Sequence, residues 1–126
     1  LKNPSQLKVL GDGNQTKSYL NVKDCVEAMY LAEKKKTNKV EIYNIGDLKF
    51  RTVKESIDII TNYMNVTPKL IFGEEKRGWI GDSPMIQLEN KKIKALGWKQ
   101  KFSIKESIEQ TVKWLLNNDW LYQERQ

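Results

Sequence analysis

Apolar and polar positions along the chain follow two periods, and each change of period falls at a turn or capping residue. Leu7 to Leu10 (LKVL) reads as a short strand closed by the turn Gly11-Asp12-Gly13-Asn14. Lys17 to Val22 alternates polar with apolar and predicts a second strand, lying beside the first. Asp24, with Glu27 three residues on, predicts a capped helix start, and Cys25, Ala28, Met29 and Ala32 form its inner stripe. After a loop at 37–39, Val40 to Ile45 (VEIYNI) predicts a well-buried strand ending at Gly46-Asp47, with Val40, Ile42 and Ile45 inward.

Thr52-Val53-Lys54-Glu55 is a strict capping box, opening a helix with Val53, Ile57, Ile60 and Met64 on one side. Asn65 and Pro68 end it, and Lys69 to Phe72 predicts another strand. Residues 73–84 (GEEKRGWIGDSP) are irregular, a length of loop that inside compact domains is often functional. Asn90 to Leu96 predicts a short helix stopped by Gly97. Ser103-Ile104-Lys105-Glu106 is a second strict capping box, followed by Ile104, Ile108, Val112, Leu115 and Leu116 at helical spacing. The tail from Asn117 is polar, with Trp120 and Tyr122 left over. Strands and helices thus alternate, which predicts an α/β fold of short strands with three to four helices. No repeat or internal boundary divides residues 1–126; the expected ordered core is about 7–118, with a polar tail over 119–126.

Length and composition narrow the function classes. A chain of 126 residues suits one domain that buries roughly two-thirds of its unfolded surface. It is too short for a dinucleotide-binding half plus a substrate domain. With 39% apolar residues, 30% charged and four Trp, it is a folding sequence rather than a disordered one. No run of 18 apolar residues predicts a membrane span, and the opening LKNPSQLK is no signal-peptide core. The start at Leu1 is read as a cut, in a helix leading out of a preceding segment. One Cys forbids an internal disulfide and fits a reducing, cytoplasmic setting; Cys25 reads as a small buried residue. The absence of His excludes Ser-His-Asp and Cys-His chemistry and a His-bearing zinc site within the chain. The formal charge of +6 invites a nucleic-acid reading. Yet the lysines are interleaved with Glu, and the run Lys34-Lys35-Lys36 falls at a helix end, where cations complement the dipole. No zinc-finger, basic-zipper or RNP-type signature is present.

Two motif-like fragments are set aside. Gly11-Asp12-Gly13 could open a phosphate-binding glycine loop, but Thr16 and a strand follow where a helix is needed. Tyr30 and Lys34 form a YxxxK, which alone is a weak pattern and here runs into the lysine cluster. More informative are cations beside aromatics in loops: Lys17 near Tyr19, and Arg77 near Trp79 with Asp82 five residues on. An Arg fork suits phosphate, and a carboxylate can accept from a hydroxyl or orient the Arg.

Four segments, LKVLGDGNQTKSYLNVKDCVEAM, VEIYNIGDLKFRTVKESIDII, RGWIGDSP and LENKKIKALGWKQKFSIKESIEQTVKWLL, occur in one order. Together they resemble the C-terminal part of extended short-chain dehydrogenase/reductase enzymes acting on sugar nucleotides, most closely NAD-dependent epimerases of the UDP-glucose 4-epimerase type. The resemblance runs from about Leu7 to Leu116. It implies that the Rossmann glycine loop, the NAD and the catalytic YxxxK belong to an N-terminal half absent from this chain. The fragment alone would then carry no cofactor and no turnover. It would hold the nucleotide-sugar side, while hydride passes to NAD and returns on the opposite face. The strand matching LKVL implies base reading by backbone groups at Lys8 and Leu10. Lys17 matches a position that contacts the diphosphate, Tyr19 matches the aromatic two residues later, and Arg77 and Asp82 match residues at the diphosphate and near the ribose.

Two departures mark this chain. Lys17 stands where relatives usually carry Arg, which keeps charge but loses the bidentate fork. Relatives commonly place the Arg three residues before the Asp, whereas Trp79 stands there and Arg77 lies five before. The alternatives carried beside the epimerase are a dTDP- or UDP-sugar dehydratase or another enzyme of the same family, a non-catalytic binding module, and, last, a basic nucleic-acid binder. The expected partners are a UDP-sugar and the missing Rossmann half, with neither nucleic acid nor membrane. The VEIYNI strand and the helix from Asp24 are expected to pack on that half, and an isolated fragment to cover the face by self-association or swapping.

Overall fold

The structure is a computed structural model describing residues 5–83 and 85–123; Leu1, Pro84 and the last three residues of the predicted tail lie outside the described residues. Its order is β1 (Gln6–Val9), β2 (Thr16–Lys17), α1 (Val22–Lys35), β3 (Arg51–Thr52), α2 (Val53–Met64), β4 (Lys69–Phe72), α3 (Lys91–Ala95), α4 (Ile104–Leu116) and the single turn α5 (Trp120–Gln123). The α/β class and the succession of helices are as expected. The polar tail also carries α5, where Trp120 Nε1 donates to Asn118 Oδ1 at 3.2 Å.

Both strict capping boxes form. Thr52 and Ser103 each accept from the backbone N–H three residues on, and Glu55 and Glu106 reach back to the cap N–H. Asn65, in left-handed backbone at φ 54°, ends α2, and Gly97, at φ 99°, follows α3. α2 and α4 pack on each other, and Ile57 on α2 and Ile104 and Val112 on α4 are buried. Loop 73–84 contains neither helix nor strand among its described residues.

The strand pairing differs from expectation. β1 does not pair with β2; it pairs in parallel with β4, Leu7 opposite Leu70 and Val9 opposite Phe72, while β2 pairs antiparallel with β3. The intervening turn is the reason. Gly11 and Gly13 both take positive φ, and Asp12 holds Asn14 N–H, so the chain swings aside instead of making a two-residue hairpin. Gly73 N–H continues the β1–β4 ladder by donating to Val9 O. The second strand is also shorter than Lys17 to Val22: regular pairing stops at Lys17.

The helix start predicted at Asp24 is corrected as well. Asn21 is the cap; its Oδ1 accepts from Lys23 N–H, and α1 begins at Val22. Asp24 is fully buried and is engaged elsewhere. Its two carboxylate oxygens accept from the backbone N–H groups of Lys101 and Phe102, each at 3.1 Å, and Trp98 Nε1 donates to Asp24 O at 3.0 Å. Glu27 pairs with Lys101 instead of serving the helix start. This attachment sets the rotation of α1. Ala28 enters the core with Ile93 and Trp98, Leu31 and Ala32 pack against them, and Met29 turns outward, 61% exposed. Cys25 is only half-buried.

VEIYNI forms no strand, and Val40 and Ile42, expected inward, are 78% and 79% exposed; Ile45 packs on the core as expected, together with Tyr43. No strand among the described residues lies beside it, so a β-prone segment has nothing to pair with. Glu41 and Tyr43 brace it through a short hydrogen bond, and Lys92 Nζ donates to Ile42 O at 3.0 Å.

Replacing Asp24 with Ala leaves two part-buried backbone donors, at Lys101 and Phe102, without their acceptors. Urea unfolding is expected to show a loss of about 3 kcal/mol. Glu27→Ala, which breaks only an exposed ion pair, is expected to cost less than about 1 kcal/mol. Equal effects would contradict the role given to Asp24.

Candidate functional site

The site is assembled where the turn after β1, the end of β2 and loop 73–84 meet. The turn is docked on the start of α2: Val53 N–H donates to Gln15 O and Lys54 N–H to Gly13 O, both at 3.0 Å. The loop is stitched to the same turn by Asp12 N–H to Glu75 O at 2.8 Å and Gly73 N–H to Gly11 O at 3.0 Å. Gly11 is required here: its φ is +77°, and an added Cβ would stand 2.1 Å from Gln15 Nε2 and 2.9 Å from Arg77 O.

Lys17 and Asp82, sixty-five positions apart, form a short ion pair, and Lys17 Nζ also donates to Ser83 O at 3.0 Å. The other carboxylate oxygen of Asp82 accepts from Gly78 N–H at 3.3 Å, and Asp82 N–H closes a turn onto Trp79 O. The hydrogen bond from Lys17, then the one from Gly78 N–H and the charges of Lys17 and Arg77, hold the Asp82 carboxyl below its ordinary value of 3.8; partial burial opposes them. Arg77 is exposed on the same loop, close enough for its charge to act on Asp82.

Of the residues named from the sequence, the structure thus gathers Lys17, Arg77 and Asp82, with Leu10 at the edge of the group. Leu10 O already accepts from Gln15 Nε2 at 2.8 Å. Lys8 is exposed on β1 opposite Ile71. Tyr19 faces a different opening, a cavity of about 930 Å³ that it lines with Ile60, Ile108 and Trp114. Gln15 and Gly78, which join the turn to the loop, carry no spacing signal and were not named from the sequence.

The Gly11–Gly13 turn leads into β2, so no helix N-terminus faces a phosphate there. Tyr30 and Lys34 are both exposed on α1. Among the described residues no group of three or more His, Cys, Asp and Glu could hold a metal ion, and no helix is long and apolar enough to cross a membrane.

Comparison with known proteins gives consistent relatives. Residues 1–46 match the model of the NAD dependent epimerase/dehydratase family. A Methanocaldococcus jannaschii protein provisionally named a UDP-glucose 4-epimerase is 36% identical over 119 residues, covering 94% of this chain and 37% of that protein. Human dTDP-D-glucose 4,6-dehydratase is 31% identical over 112 residues, covering 86% of this chain and 32% of that enzyme. The crystal structure of UDP-glucose 4-epimerase with UDP-glucose from Thermotoga maritima superposes with a TM-score of 0.77 at 27% identity, covering 90% of this chain and 36% of that one. The chain spans about a third of the length of these relatives.

Because the Asp82 carboxyl titrates below its unfolded value, its ion pair contributes stability above about pH 4 and loses it as pH falls through the folded midpoint. A carboxyl-carbon NMR titration is expected to place the Asp82 midpoint below 3.8, and Lys17→Met to move it up. A midpoint unmoved by that substitution would contradict the pairing.

Proposed function

Because the chain belongs to the NAD dependent epimerase/dehydratase family, we propose that it is the C-terminal, nucleotide-sugar-binding part of an enzyme like UDP-glucose 4-epimerase. The observation that carries this reading is the meeting of Lys17, Arg77 and Asp82 beside the turn after β1. A nucleotide diphosphate presents two negative groups and needs cations from more than one segment. Lys17 on β2 and Arg77 on the loop are such cations. Lys17 acts as a point charge that can leave Asp82 for a phosphate oxygen without strict geometry. Asp82, so released, is an acceptor for a ribose hydroxyl. The exposed end of β1 at Lys8 and Leu10 supplies backbone groups for the base.

NAD supplies the hydride chemistry of the family and is assigned to a Rossmann half that this chain does not contain. The same half is the proposed cover for the apolar surface made by Val40, Ile42 and the outer face of α1, where Val22, Val26, Met29 and Tyr30 are exposed. In a chain without that half, self-association through this face is the expected substitute. The 31% identity to human dTDP-D-glucose 4,6-dehydratase favours, as a second reading, a dehydratase using the same binding part.

In the full-length enzyme, Arg77→Ala removes a charge-assisted contact to the diphosphate. Such contacts contribute about 1.5–3 kcal/mol, so KM for UDP-glucose is expected to rise about tenfold or more. NAD binding is expected to change little. Unchanged affinity for UDP-glucose after this substitution would overturn the assignment.

A further inference from the structure

Gln15 is held at both ends of its length. Its backbone O accepts from Val53 N–H at 3.0 Å, so its main chain is fixed to the start of α2. Its side-chain Nε2 donates to Leu10 O at 2.8 Å. That bond decides which way the carboxamide faces, since the flipped amide would set two oxygens against each other. Oε1 is then buried and has no partner among the described residues, so the Leu10 bond alone orients the group.

Two glycines admit this side chain. A Cβ at Gly11 would stand 2.1 Å from Nε2, and one at Gly78 would stand 3.3 Å from it. The carboxamide is therefore wedged between the turn after β1 and the loop that carries Arg77 and Asp82. Gly78 N–H in turn donates to Asp82, the partner of Lys17. One side chain thus bonds Leu10 O and lies beside Gly78, whose N–H holds Asp82.

Resting on the nucleotide-sugar reading above, we propose that Gln15 is the positioning residue of the site: it fixes the separation between the base edge at Leu10 and the diphosphate loop at Arg77–Asp82. A ligand that spans both edges depends on that separation. A ligand that reaches only the cations does not.

The test uses the full-length enzyme with NAD bound, titrated with UDP and with inorganic pyrophosphate. Gln15→Met keeps the length of the side chain and removes the donor. UDP is expected to bind about tenfold more weakly to this variant, equivalent to about 1.4 kcal/mol, with pyrophosphate affinity unchanged within about twofold. Gly78→Ala, which crowds the same carboxamide from the other side, is expected to give the same split. Lys17→Met is expected to weaken both ligands. If Lys17→Met weakens both while Gln15→Met and Gly78→Ala alter neither, or weaken both ligands equally, the positioning role is overturned. If the unsubstituted enzyme binds neither ligand, the nucleotide-sugar reading itself fails.

Discussion

The buried carboxylate of Asp24 is the constraint on which the remaining arrangement depends. It ties the first turn of α1 to the backbone of Lys101 and Phe102, just before the cap of α4. Trp98 closes the same junction from its indole N–H and fills the core beside Ala28 and Ile93. A buried charge is tolerable only when such donors surround it, so each element fixes the other. α4, placed by this junction, packs on α2. The start of α2 then holds the turn at Gly13 and Gln15, which leads directly to Lys17. The candidate site stands at the end of that chain of contacts.

The division between frame and site follows from this. The frame is helical, with α2 and α4 each opened by a capping box. The chemistry sits on a short turn and an irregular loop, both anchored at several points but free to present Arg77 and Trp79 to solvent. The Lys17–Asp82 pair is the joint between them. It neutralises a cation that a diphosphate would claim and a carboxylate that a hydroxyl would claim. Under the proposed function, binding a nucleotide diphosphate here would exchange partners rather than fill an empty charge.

What was legible in the sequence was what is decided locally. The capping boxes at Thr52 and Ser103, the glycine after α3, the face of α2 and that of α4 as far as Leu115 depend on residues within one or two turns; Leu116, expected on the same stripe, is 50% exposed. What was misread depends on distant partners. Asp24 reads as a cap because its spacing to Glu27 is right, but the N–H groups at 101 and 102 outcompete that role. VEIYNI has strand composition, yet pairing needs a neighbour, and no strand among the described residues pairs with it. β1 and β2 are adjacent in sequence, but two positive-φ glycines turn the chain toward β4. At the site, Lys17, Arg77 and Asp82 were named through resemblance and charge, and no local rule could have said that Lys17 meets Asp82. Gln15 was invisible because a Gln before a strand has no pattern; its weight comes from what approaches it.

The most direct test of the site is a backbone amide NMR titration of the full-length enzyme with UDP-glucose. The expected result is that the largest shifts fall at Lys17, Gly78 and Asp82 and along the end of β1, with the cavity lined by Tyr19, Ile60 and Trp114 little changed. Shifts confined to that cavity, or absent from Lys17 and Asp82 at saturation, would contradict the placement of the nucleotide sugar between the turn and the loop.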